Sequence, residues 1–173
     1  MTNTFSDHPQ ILLVSSFDEL IKTAFQGDTN AMYWHRNLTG DFKEIVSKLE
    51  LKENITEVSE EDLFALKLTE QGELAREIIL KDIKQLTALG ASPCLNLIRY
   101  YERDEELEFI STDVYSFHID RSPIETDTFL CTYHGASSDI LLNAEAEQKY
   151  LFLKFEKNLK HSMKGQQQSL KTF

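Results

Sequence analysis

The sequence predicts an α+β protein in which a helical N-terminal half packs on a small antiparallel sheet. Two observations carry this. Apolar residues recur at helical spacing through the first ninety positions, then switch to the alternation of a strand after Gly90. Glycine supplies only 6 of 173 residues, about half the usual ~7% share, so a large all-β fold lacks its turn residues.

The elements follow in order. Ser16-Phe17-Asp18-Glu19 has the pattern of a capping box, with Leu20, Ile21, Ala24 and Phe25 behind it and Gly27 as the stop. Residues 31–37 are aromatic-rich and read as extended chain. Asp41 caps a helix whose apolar face is Phe42, Ile45, Val46 and Leu49. Ser59 to Asp62 forms a second cap before Leu63, Phe64, Leu66 and Leu68. The longest helix is expected from Glu73 to Leu89, striped by Leu74, Ile78, Ile79, Ile83, Leu86 and Leu89 and closed by Gly90. Three strands are expected next, Cys94–Tyr101, Leu107–Asp120 and Thr128–His134, paired as an antiparallel meander. Residues 143–173 fit either one helix or short strands. The whole is expected to be one domain, 1–173, helical to 90 and mainly β beyond it.

Charge and hydropathy exclude some functions. Acidic residues number 29 and basic residues 18, a net charge of −11. A nucleic-acid backbone or an anionic membrane is held by clustered cations, so neither is an expected partner. No apolar run approaches the ~20 residues that span a bilayer. Ile11 to Val14 is too short for a signal-peptide core. Two cysteines, Cys94 and Cys131, make no disulfide scaffold, and the expected compartment is the cytosol. A homodimer is compatible with all of this.

The motif with most chemistry is Phe117-His118-Ile119-Asp120. On a strand, positions i and i+2 point the same way, so an imidazole and a carboxylate can converge on one ion. A further histidine would complete a facial triad of two His and one carboxylate, which leaves coordination positions open on Fe(II). The ordinary alternative is a histidine hydrogen-bonded to a neighbouring aspartate. For the third ligand, His161 follows Asp120 by 41 residues and Lys171 follows His161 by ten. That order is similar to double-stranded β-helix oxygenases, where a distal histidine precedes a cation that binds the far carboxylate of 2-oxoglutarate. His134, at the end of a neighbouring strand, and His35, beside Trp34, are the other candidates; a half-buried structural role is the simpler reading of both. Arg99, mid-strand, is either a solvent-face charge or a second candidate for the co-substrate carboxylate. Cys94 and Cys131 read as small core residues. Nucleophile-elbow, phosphate-loop, dinucleotide and H-E-x-x-H motifs are absent from the sequence.

Asn96-Leu-Ile-Arg99, Phe117-His118-Ile119-Asp120 and Leu130-Cys131-Thr132-Tyr133-His134-Gly135 resemble a bacterial family catalogued as domain of unknown function 1826. Met32-Tyr-Trp34-His-Arg36-Asn-Leu38 resembles that family's early tryptophan/arginine strand, and the helix ending near Leu89 its central helix. Its ligand order is similar to that of 2-oxoglutarate/Fe(II) oxygenases with a cupin-type (jelly-roll) β-helix. The resemblance thus implies His118, Asp120 and His161 as metal ligands, and Lys171 or Arg99 as the co-substrate cation. Ala136-Ser137-Ser138-Asp139 stands where the family has a glycine-rich turn, and no Arg or Pro follows His161. Two functions are therefore carried forward. One is a mononuclear non-haem Fe(II), 2-oxoglutarate-dependent dioxygenase acting on a small molecule or a protein. The other is a metal-free, degenerate β-helix that binds a small molecule or a partner. A metal-dependent hydrolase or isomerase on the same residues ranks third.

Overall fold

A computed structural model describes residues 9–101, 124, 126–141 and the backbone of 169–172. The fold is mixed α and β. In chain order its described elements are β1 (Ile11–Val14), α1 (Phe17–Lys22), β2 (Ala31–Trp34), α2 (Phe42–Lys48), β3 (Ile55–Glu57), α3 (Glu60–Ala65), α4 (Glu70–Ala88), β4 (Asn96–Ile98), β5 (Asp127–Leu130) and β6 (Ser169–Thr172).

Each described helix starts where a short polar side chain can take an orphan amide. Ser16, Asp41, Ser59 and Thr69 each accept from a backbone N–H three residues on. Ser59 and Asp62 form a complete capping box. Glu19 instead turns its carboxylate to Ser15, accepting from that residue's N–H and hydroxyl, both at 2.7 Å. Helix α1 stops at Lys22, short of the expected end at Gly27, because Thr23 turns to an extended conformation. Thr69 starts α4 three residues earlier than the apolar stripe suggested. Gly90, at φ 85°, closes α4 as expected.

The strands form two sheets. Four of them order as β1-β2-β6-β5, every neighbouring pair parallel. Parallel pairing of β1 and β2 is made possible by α1, which carries the chain back between them. The second sheet is the antiparallel pair β3-β4, with Ile55 opposite Ile98. The first ninety residues are mainly helical, with the extended segment at 31–37 present as β2 and two further short strands, β1 and β3. Among the described residues, β4 pairs with β3 and β5 with β6. Leu107–Asp120, expected as a strand between β4 and β5, lies outside the described residues.

Two apolar clusters flank α4. Phe42, Ile45, Val58, Leu63, Ala75 and Ile79 form one, with α2, α3 and the β3-β4 pair around it. Val14, Leu20, Met32 and Leu86 form the other, between α1, α4 and the parallel sheet. The buried stripe of α4 is Gly72, Ala75, Ile79, Asp82 and Leu86. It is rotated from the expected one, and Leu74 and Leu89 are exposed. The small residues explain this. Gly40 lies directly on α4, and Asp41 N–H donates to the Gln71 carbonyl at 2.8 Å. Only a glycine or alanine edge admits a backbone that close. Glu44 of α2 reinforces the junction, its carboxylate accepting from the Thr69 N–H, the Thr69 hydroxyl (2.6 Å) and Lys48 (2.7 Å). No helix among the described residues is long and apolar enough to cross a membrane.

Candidate functional site

The functional groups that the described residues bring together meet on α4, between the two apolar clusters. Alternation along β2 sends Met32 and Trp34 to the helix side of the sheet, and Arg36 follows two residues on. Phe129 of β5 faces the same side, and Cys131 and Tyr133 continue that spacing beyond the strand. Helical spacing from Ile79 to Leu86 places Asp82 on the buried stripe facing them.

Asp82 is the hub. It is 3% exposed and accepts from Arg36 through both oxygens, at 2.6 and 3.1 Å. The Tyr133 hydroxyl donates to Asp82 Oδ2 at 2.9 Å. Arg36 lies over the Trp34 ring with its guanidinium carbon 4.7 Å from the centroid. Tyr133 stacks on Phe42 at 5.5 Å and 16°. Among the described residues, no buried side-chain nitrogen or oxygen lacks a hydrogen-bond partner.

The protonation states follow from this packing. Burial opposes the Arg36 charge, but the hydrogen bonds and charge of Asp82 outweigh it and the guanidinium is held above its ordinary value. Burial pushes the Tyr133 phenol far up, and the neighbouring Cys131 and Asp82 push the same way. Burial raises the Cys131 thiol to about 11; the Tyr133 hydrogen bond opposes it, the Asp82 charge adds to it, and Arg36 opposes it more weakly. At neutral pH the cluster is thus an ion pair, a protonated phenol and a protonated thiol. It offers no thiolate nucleophile. Its chemistry is to hold the 131–133 segment and the end of β2 against α4.

The residues expected from sequence are distributed as follows. His118, Asp120 and His161 lie outside the described residues. Lys171 is on β6, between β2 and β5, opposite Met32 on one side and Phe129 on the other. Arg99 is exposed just after β4, in the other sheet, and its N–H donates to the Asn54 carbonyl at 2.8 Å. Lys171 is thus on the parallel sheet and Arg99 just beyond the end of the antiparallel pair. His134 is exposed beside Tyr133, and His35 is exposed with Nδ1 3.2 Å from the Tyr33 hydroxyl. Cys94 is exposed rather than a core residue, with Sγ 3.7 Å from Asn96 Oδ1. Partial burial and Glu57 raise its thiol above the usual value. Among the described residues, no group of three or more His, Cys, Asp or Glu is placed to hold a metal ion.

Sequence reasoning missed Asp82. Its signal was present, a lone carboxylate at a stripe position between Ile79 and Leu86. Such a group is almost never buried without a partner, and the partners lie 46 and 51 residues away. No family model, curated protein or solved structure matches the chain.

Proposed function

We propose that the chain is a mononuclear non-haem Fe(II), 2-oxoglutarate-dependent oxygenase-like protein of the domain of unknown function 1826 type. The observation that carries this is the F-H-I-D sequence at 117–120, followed at 130–133 by L-C-T-Y. Two structural observations support it. The stretches behind the resemblance, 32–38, the central helix and 130–135, meet at the Asp82 cluster. Lys171, the cation ten residues after His161, lies on a strand hydrogen-bonded between β2 and β5.

His118, Asp120 and His161 are the residues that would hold the iron. Two imidazoles and one carboxylate are a donor set suited to Fe(II). The metal would supply dioxygen activation at its remaining positions. Lys171 would pair with the far carboxylate of 2-oxoglutarate and fix its orientation. The Asp82 cluster would hold the L-C-T-Y segment in place through the Tyr133 hydrogen bond.

A metal-free binding or interaction protein is the second reading. It is favoured by the four-stranded sheet, which is parallel where a jelly-roll is antiparallel. Metal analysis of untagged protein separates the two. The oxygenase reading expects Fe(II) to bind and a weak visible band to appear when 2-oxoglutarate is added without oxygen. His161→Ala and His134→Ala, compared side by side, assign the third ligand. If only His134→Ala loses metal, Lys171 has no role.

A further inference from the structure

We draw no further inference here: the strongest candidate, the exposed apolar patch formed by Ile55 and Ile98 across the two-stranded sheet with Tyr100 beside them, carries nothing because nothing in the structure shows what covers it.

Discussion

Replacing Asp82 by alanine tests whether the buried cluster joins the two halves of the fold. The Arg36 guanidinium would lose both hydrogen bonds while its side chain is only 13% exposed. Breaking a buried ion pair from one side costs roughly 3–5 kcal/mol. Arg36 keeps the Trp34 face and some water, so the lower end, about 3 kcal/mol, applies. The Tyr133 hydroxyl also loses its acceptor, which adds about 1 kcal/mol. A loss of about 4 kcal/mol is a large share of the ~5–15 kcal/mol of a typical domain. Urea unfolding at pH 7 with a common slope measures it. Arg36→Met combined with Asp82→Leu should recover much of the loss, since no charge is left unpaired. A loss below about 1 kcal/mol for Asp82→Ala, or a double variant as unstable as the two single losses summed, would refute the reasoning.

Other consequences follow from particular contacts. Gly40 has φ +105°, and an added Cβ would come within 2.6 Å of the Ala75 nitrogen. Gly40→Ala should therefore destabilise by about 2–4 kcal/mol in the same assay, and a neutral effect would mean that α4 can move away. Glu44 is held down to about 2, from an ordinary 4.5, by Lys48 first and then Thr69. As pH falls the unfolded chain takes up this proton before the folded one does, so the stabilisation is present above pH 4.5 and lost towards pH 2. Glu44→Gln should flatten that part of the stability–pH curve, and an unchanged slope would contradict the assignment. With the Cys131 thiol at about 11 and half-buried, a thiol reagent at pH 8 should label Cys94 first. Cys131 should react more slowly until denaturant is added, and equal rates in the native protein would show the cluster to be open.

Local signals in the sequence located the helices. Ser16, Asp41 and Ser59 cap helices as their side-chain chemistry requires, and Gly90 ends the longest. The extended reading of 31–37 became β2. The short strands were harder to see. Ile11–Val14 is four apolar residues without periodicity, and Ile55–Glu57 is three residues long. Their identity as strands depends on partners at 31–34 and 96–98, which no local pattern encodes. Sheet partnership is hidden for the same reason. The alternation in 94–101 and 128–134 is that of strands, yet alternation does not say which strand lies beside which. Asp82 was overlooked because a charged residue inside an apolar stripe looks like an interruption. It becomes intelligible once Arg36 and Tyr133 are folded onto it. Arg36 and Tyr133 stand far apart in the sequence, and their common partner on α4 is visible only in three dimensions.

The central claim is a metal centre organised by His118 and Asp120. The most direct measurement is the iron content of untagged protein after anaerobic loading with Fe(II) and removal of free metal. His118→Ala and Asp120→Ala are compared with the parent, and folding of each is checked by urea unfolding. The account predicts about one iron per chain in the parent, in keeping with a single facial triad, and almost none in either variant. A folded parent that retains no iron, or variants that retain as much as the parent, would contradict it.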